Sequence, residues 1–532
     1  MQKVWPLFKF HLRRDWIKLT IWFFGLLYFS GGLVQPVYEV YGKDAKGLAG
    51  LYETLQNPAM IALCGPTAVQ NAESYTIQAM YAQEMILFTA LLFAIIAIQH
   101  AISKTRRQED DGILELLQAS TVGKMANTAA ICLQQLLFHV LLGLGIALVI
   151  QLQGISGFEN FRDNLAFGFS LSMQGLIFGA IALFYCQIAT NASQARALSF
   201  TTLGGLYILR MGTDIQNVHL SWLNPLSWSY LSDVYVKTNA LVFVLGGIFI
   251  AIVGACALLL EKRRDMFAGL LPEKEGRGVG GRLLRSIGGL SFRTARGYHI
   301  GWLFALFILG ATYGSIFGDM DKFLESNDMF KQILAANPKY SVQESFLGIL
   351  FMILSIFVAV YASAFFMRLV GEEKKGRFEQ VYAMPITRSK LFCTYYIHTI
   401  AALILGQFAG VAGVYLAQSA VMKHPIAFAT IAHSGFAWTG ATFIYVSITA
   451  VGIGVFPRLL HLIWGYFGLT YAIGYLGELI KVPEWLKAIN VLDHVSHLPL
   501  EKMDWGEFGI LIFIGLLLST KGWFFYRRRD LL

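Results

Sequence analysis

Two short segments hold the side chains most able to do work beyond packing. Gly112-Ile113-Leu114-Glu115 and Gly376-Arg377-Phe378-Glu379 share the frame Gly-x-x-Glu, and an acidic pair precedes each, Glu109-Asp110 and Glu372-Glu373. A carboxylate near the start of a short helix is favoured by the helix dipole. Ile113, Leu114 and Leu117 give the first segment an apolar edge; Phe378, Val381 and Tyr382 do so for the second, which Pro385 ends. The chemistry this predicts is the gripping of a partner protein, and two matching protrusions suit a two-fold symmetric partner. Motifs for making and breaking bonds are missing. No Gly-x-x-x-x-Gly-Lys-[Ser/Thr] occurs, so nothing can cradle phosphates in the P-loop manner and ATP hydrolysis by this chain alone is not expected. No Gly-x-Ser-x-Gly elbow occurs either. His494-x-x-His497, near Glu501 and Asp504, has a spacing that can ligate a metal. It is a single pair in an irregular stretch, so exposed loop histidines are expected, with no metal and no cofactor on this chain.

The elements that must position the two segments are membrane spans. Of 532 residues, 56% are hydrophobic and only 14% charged, where an ordinary soluble chain carries about a quarter charged. The mean hydropathy is +0.56. These values exclude a cytosolic enzyme, a secreted disulfide scaffold and a disordered chain. The five cysteines, Cys64, Cys132, Cys186, Cys256 and Cys393, have no pairing or metal spacing. A helix needs roughly 20 apolar residues to cross a bilayer. Twelve stretches qualify, near 19–38, 83–102, 126–151, 164–189, 195–212, 240–260, 300–318, 345–368, 392–418, 428–453, 459–479 and 506–526. The fifth is the weakest, with Gly204-Gly205 inside it and Arg210 at its end.

Lys and Arg collect on the cytoplasmic side of membrane proteins. With the N-terminus inside, 30 of the 42 basic residues but only 13 of the 33 acidic ones fall on inner segments, leaving the inner side +17 and the outer side −8. Both termini are therefore expected in the cytoplasm. The basic excess reflects insertion and anionic lipid; no basic cluster interleaved with exposed aromatics points to nucleic acid.

The Gly-x-x-Glu frames lie 264 residues apart. Leu223-Asn224-Pro225-Leu226 recurs as Ile489-Asn490-Val491-Leu492 at an offset of 266, and Lys262-Arg263-Arg264-Asp265 recurs as Arg527-Arg528-Arg529-Asp530 at 265. Six spans per half is an even number, so the halves share one orientation and form a parallel repeat. The expected fold is an all-α polytopic membrane protein of twelve transmembrane helices in two parallel six-helix repeats. Residues 1–260 form the first half and 299–532 the second. A linker at 261–298 joins them, with the Gly-rich run Glu275-Gly276-Arg277-Gly278-Val279-Gly280-Gly281. Trp5, Phe8, Leu12 and Trp16 form a helical apolar stripe, with Lys9, Arg13 and Arg14 on the rest of the wheel. Residues 5–16 are thus expected to lie in the membrane interface. Leu283, Ile287 and Leu290, with Arg282, Arg285, Arg293 and Arg296, predict a second such helix.

The run Glu372-Glu373-Lys374-Lys375-Gly376-Arg377-Phe378-Glu379, followed by Ala383-Met384-Pro385-Ile386-Thr387-Arg388, resembles the segment between spans 2 and 3 of ABC-2-type transporter permeases. That segment commonly reads Glu-Glu-x-x-Gly-Thr-x-Glu, then apolar residues, a Pro and a basic residue. The first half departs from it, with Thr121 in the place of Pro385 and Gly123-Lys124 for Thr387-Arg388. The double-length layout resembles the subgroup of polyketide antibiotic exporters, the tetronasin-type permeases. The resemblance implies a type V exporter-like permease fold in the plasma membrane, moving an antibiotic-like or lipophilic small molecule outward. It implies a separate nucleotide-binding ATPase subunit that carries the ATP and Mg, two copies beneath one permease. Gly112, Glu115, Gly376 and Glu379 would lie on coupling helices, with Glu372 and Glu373 beside them; residues 5–16 and 283–296 would be connecting helices. Spans 2 and 5 line the cavity in that family, which would put Phe88, Phe93, Tyr207, Phe351, Phe357, Tyr466 and Tyr471 along the cargo route.

Two other readings share some of these features. A secondary, ion-coupled transporter also has two parallel six-span halves, but it needs ionisable residues at the midplane. Here Glu84 and Arg210 stand at span ends, and only His139 and His398 lie well inside. A membrane-embedded lipid-modifying enzyme needs a polar cluster at one interface; 319–328 and 494–504 are the places that offer one. The outer loops 39–82 and 319–344 are polar and short, and are expected to cap the exit.

Overall fold

The computed structural model describes residues 3–42, 45–119, 121–270, 278–319, 342–422, 424–476 and 490–530. Most of the outer loop 319–344, the linker residues 271–277, the end of the eleventh stretch and Ile489 lie outside the described residues. The chain divides into two units, Met1–Glu275 and Gly276–Leu532. Among the described residues all regular structure is helical.

In unit 1 the helices are α1 (Val4–Leu27), α2 (Val34–Tyr41), α3 (Ala45–Leu55), α4 (Pro58–Cys64), α5 (Ile77–Lys104), α6 (Arg106–Asp110), α7 (Ile113–Gln118), α8 (Ala126–Leu152), α9 (Phe161–Ile188), α10 (Ala192–Gln216) and α11 (Ala240–Arg263). Unit 2 holds α12 (Ile287–Ile316), α13 (Val342–Lys374), α14 (Glu379–Tyr382), α15 (Arg388–Val421), α16 (Phe428–Ala437), α17 (Thr439–Val455), α18 (Leu462–Leu476) and α19 (Trp505–Arg528). Seven of the long helices start where the sequence supplies a side-chain cap for the orphan N–H groups of the first turn. Thr76 caps α5, Asn160 α9, Asn191 α10, Asn239 α11, Ser286 α12, Thr387 α15 and Asp504 α19.

Ten helical segments among the described residues are long and apolar enough to cross a membrane. The fifth and eleventh stretches are the two that do not qualify. Helix α10 ends in a charged cluster around Arg210 and Asp214, and the described part of α18 is 15 residues long.

The amphipathic segment 5–16 is continuous with the first span rather than a separate surface helix. Nothing between Pro6, in the first turn, and Leu27 breaks the helix, and α1 then passes through a π-helical turn at Tyr28–Gly32 into α2. Polar and apolar side chains share the packing here. His11 Nε2 lies 2.8 Å from Asn127 Oδ1, and Asp15 pairs with Lys104. Leu7 and Phe8 are buried with Ala126 and Ala130, while Trp5 and Trp16 stay exposed. The second such segment behaves alike: a 3₁₀ turn at Arg282–Arg285 leads into α12, which runs unbroken through residue 296.

Each unit has its own core. In unit 1, α9 is the central helix and packs on α5, α8 and α11. In unit 2, α12 runs along α15, and α17 runs along α19. Glycines permit several of these approaches. A Cβ at Gly168 would overlap the carbonyl of Gly143, tying α9 to α8, and one at Gly413 would overlap that of Phe307, tying α15 to α12.

Candidate coupling site

Helix α5 stops at Thr105, whose φ of −120° and ψ of −91° break the helical path. Thr105 Oγ1 donates back to the Ala101 carbonyl at 2.7 Å. The chain makes the single turn α6 and reaches Gly112 at φ 72°, a left-handed value suited to glycine, before α7 begins. This sharp elbow is held by one carboxylate. Glu109 accepts from both terminal nitrogens of Arg264 at 2.6 Å each, from Arg106 Nη1 at 3.0 Å and from the Phe267 backbone N–H at 2.6 Å. The two-pronged guanidinium–carboxylate contact is the strongest form of side-chain hydrogen bonding. Arg264 also donates from Nε to Gln187 Oε1 at 2.8 Å, and Arg106 donates to the Thr190 carbonyl. Asp110 Oδ2 accepts from the Ala192 N–H at 2.7 Å, at the start of α10. The elbow thereby joins the end of α5, the α9–α10 turn and the end of α11. Beyond it α7 buries Leu114 and leaves Ile113, Glu115 and Leu116 exposed, Leu116 at 76%.

Unit 2 builds the same elbow with fewer ties. Helix α13 ends at Lys374, and Gly376 takes φ 67°. Glu373 is buried and pairs with Arg529, whose carbonyl accepts from Arg388. Glu372 is half-buried and pairs with Arg377 at 2.7 Å. The Tyr382 and Tyr526 hydroxyls lie 3.3 Å apart. Burial raises the Tyr382 pKa above the usual phenol value, so the hydroxyl stays protonated. The expected apolar edge turns inward: Phe378 and Val381 are buried in the unit's core. Arg377, Glu379, Gln380 and, at 51%, Met384 are among the exposed side chains.

The structure thus places the predicted residues in two groups. Glu115 and Glu379 are exposed beyond the elbows, whereas Glu373 is an internal tie and Glu372 is paired beside it. The tie Glu109–Arg264 was not read from the sequence. Its signal was present: Glu109 and Glu373 are 264 residues apart, Arg264 and Arg529 265, so both ends of the pair recur at the repeat offset.

The aromatic residues expected along a cargo route scatter over different environments. Phe93 and Phe351 are fully buried in the unit cores; Phe88 and Phe357 are exposed, at 58% and 42%. Tyr207 lies under the Arg210 guanidinium at 4.6 Å; Tyr466 packs beside Tyr445 at 5.8 Å, and Tyr471 is half-buried. Arg210 itself is buried at the far end of unit 1. It meets Asp214 at 2.8 Å and the carbonyls of Ala62 and Leu63, while Asp214 accepts from Tyr230 Oη at 2.6 Å and Ser221 Oγ at 2.5 Å. This cluster locks α4 and the segment after α10 together, a structural use of the charges that weaken the fifth stretch. His494 Nδ1 lies 3.9 Å from Glu507, and His497 packs edge-on to Trp438. Among the described residues no three possible metal ligands gather.

Among the described residues, ten helical segments of membrane length and an apolar core in each unit define a multi-pass membrane protein. Its likeness to known proteins is to permeases. The chain is 27% identical over 539 residues to the multidrug efflux system permease protein Rv1217c of Mycobacterium tuberculosis, covering 98% of this chain and 94% of the relative. The family model for the C-terminal domain of multidrug efflux system permease Rv1217c matches residues 284–527.

Proposed function

We propose that the chain is the membrane permease subunit of an ATP-driven exporter that moves a lipophilic or antibiotic-like compound out of the cell. Twelve spans in two parallel halves cross the plasma membrane, with α10 and α18 as the fifth span of each half and both termini inside. A dimer of separate ATPase subunits carries the ATP and Mg and docks on α7 and α14. The observation that carries this reading is the pair of elbows. Each puts a short exposed helix just past a left-handed glycine, and each is tied by a buried carboxylate–Arg pair to the end of its unit's last helix. A push on such a helix is transmitted to membrane spans and not lost in a loop. The efflux role of the relative agrees with this.

Glu115 and Glu379 make the outward contact, and Glu109 and Glu373 transmit it. The test is co-purification with the P-loop ATPase encoded beside it, followed by ATPase and transport assays in proteoliposomes. Glu115→Ala with Glu379→Ala is expected to cut cargo-stimulated ATP hydrolysis about tenfold while the permease stays folded. Undiminished stimulation in the double variant removes the docking assignment. Gradient-driven transport by the permease alone, without nucleotide, replaces the reading with an ion-coupled carrier.

A further inference from the structure

Unit 1 contains a groove that neither the elbow nor the outer cluster uses. It has a volume of about 470 Å³ and lies between α8, α9 and α11. One face of α9 forms its floor, with Arg162, Leu165, Phe169 and Leu176 at spacings that share a side of a helix. At ~1.5 Å rise per residue this row is about 21 Å long. That is more than half the ~30 Å hydrocarbon thickness of a bilayer. Phe243 and Gly247 of α11 form one wall. A Cβ at Gly247 would meet nothing within 4 Å, whereas one at the neighbouring Gly246 would overlap Met173. The helices are therefore in close contact at Gly246 and open at Gly247.

This apolar length ends in one charge. Arg162 sits in the first turn of α9 and is exposed, and among the described residues its guanidinium makes no ion pair. The adjacent Asp163 is engaged by Asn160 Nδ2 at 2.7 Å. The first turn of a 28-residue helix adds its own positive end. A neutral occupant would leave this cation without a counter-charge, and a zwitterionic headgroup would bring a second cation beside it. An anionic headgroup complements it, and a hydrocarbon chain matches the row of Leu and Phe that follows.

We infer that the groove between α8, α9 and α11 is a binding site for an anionic phospholipid, with one acyl chain lying along α9 and the phosphate held by Arg162. The lipid belongs to the leaflet at the Arg162 end of the bundle, away from the elbow. In unit 2 the seam between α17 and α19 is shut at Gly454, where a Cβ would overlap the Gly522 carbonyl.

The experiment uses the full chain in nanodiscs of equimolar phosphatidylglycerol and phosphatidylcholine, with retained lipids counted by native mass spectrometry. Phosphatidylglycerol is expected to be enriched about fivefold, the worth of one basic residue near an anionic headgroup. Arg162→Ala abolishes the enrichment and Arg162→Lys largely keeps it. Gly247→Leu, which enters open space, removes one retained lipid of either headgroup. An unchanged lipid ratio in Arg162→Ala, or an unchanged lipid count in Gly247→Leu, overturns the assignment. The measurement needs neither ATPase nor transport, so its failure is separate from failure of the exporter reading.

Discussion

In unit 1 the Glu109 carboxylate meets two guanidiniums and a backbone N–H, and the Asp110 carboxylate caps the start of α10. In unit 2 the corresponding Glu373 meets Arg529, and the neighbouring Glu372 reaches only as far as Arg377 on the same turn. The helix beyond the elbow differs in the opposite sense. Helix α7 turns Ile113 and Leu116 outward, while the second elbow folds Phe378 and Val381 into its own core. A recurring sequence marker thus specifies the turn, and the neighbours decide how stiffly it is held and what it offers. If both elbows face one symmetric motor, the first is the stiffer lever and the stickier handle.

The largest expected effect tests the stiffness. Removing one partner of a buried ion pair strands the other charge, at a cost of about 3–5 kcal/mol. Arg529→Ala is expected to lose about 3–5 kcal/mol, because Glu373 is buried as Glu109 is and keeps no second guanidinium among the described residues. Arg264→Ala is expected to lose less, about 1.5–3 kcal/mol, since Arg106 and the Phe267 N–H still hold Glu109. Thermal unfolding of the two variants in the same detergent measures the difference; equal losses would erase the contrast.

Next comes the close helix packing inside each unit. Gly175→Ala would drive a methyl into the His139 ring between α9 and α8, and Gly413→Ala would drive one into the Phe307 carbonyl between α15 and α12. Each is expected to cost about 1–3 kcal/mol. Limited proteolysis of the two variants should open the α8–α9 region in the first and the α12–α15 region in the second. Protection of both regions in both variants would contradict the packing described.

The handle is tested by charge. Leu116→Asp is expected to weaken ATPase association by more than ~1 kcal/mol, as for a central contact residue, and Met384→Asp by less. Pull-down titration of the partner subunit ranks the two, and the reverse ranking would make the second elbow the main grip. The smallest effect is Tyr382→Phe, which removes one hydroxyl contact to Tyr526 and is expected to cost roughly 0.5–1.5 kcal/mol. The loss should appear as a small drop in the unfolding midpoint with partner binding unchanged.

Much of the scaffold was legible in the sequence because the physics that makes it is local. Apolar runs of membrane length are read directly from residue order. Gly112 and Gly376 stood out as the glycines of the repeated frame, and only the structure shows that both take a left-handed turn. What was not legible depends on partners far along the chain. Glu109 and Arg264 are 155 residues apart and meet only once the bundle has formed. The stripe Trp5, Phe8, Leu12 and Trp16 suggested an amphipathic helix, and what residue order did not show is that the buried pairs His11–Asn127 and Asp15–Lys104 bind its polar face to α8 and α5. The aromatic residues assigned to a cargo route were chosen by span and residue type, and neither says whether a ring faces the core, as Phe93 does, or the outside, as Phe88 does. Arg210 looked like the end of a span, and its use became visible only with Asp214, Tyr230 and the carbonyls of α4 around it.

The glycine contacts have a kinematic consequence. Where two backbones touch, as α8 and α9 do at Gly143 and Gly168, or α12 and α15 at Gly310 and Gly410, neither sliding nor rolling is possible without first prising the pair apart. Such pairs travel as single struts. Displacement during a working cycle is then confined to the joints where larger side chains interleave and can exchange rotamers. In the first unit this makes α8–α9 one mast, on which α1 and α11 are seated through side chains, Leu27 over Gly145 and Met173 over Gly246. In the second it makes α12–α15 and α17–α19 two stiff leaves, with α13 as the spine between them.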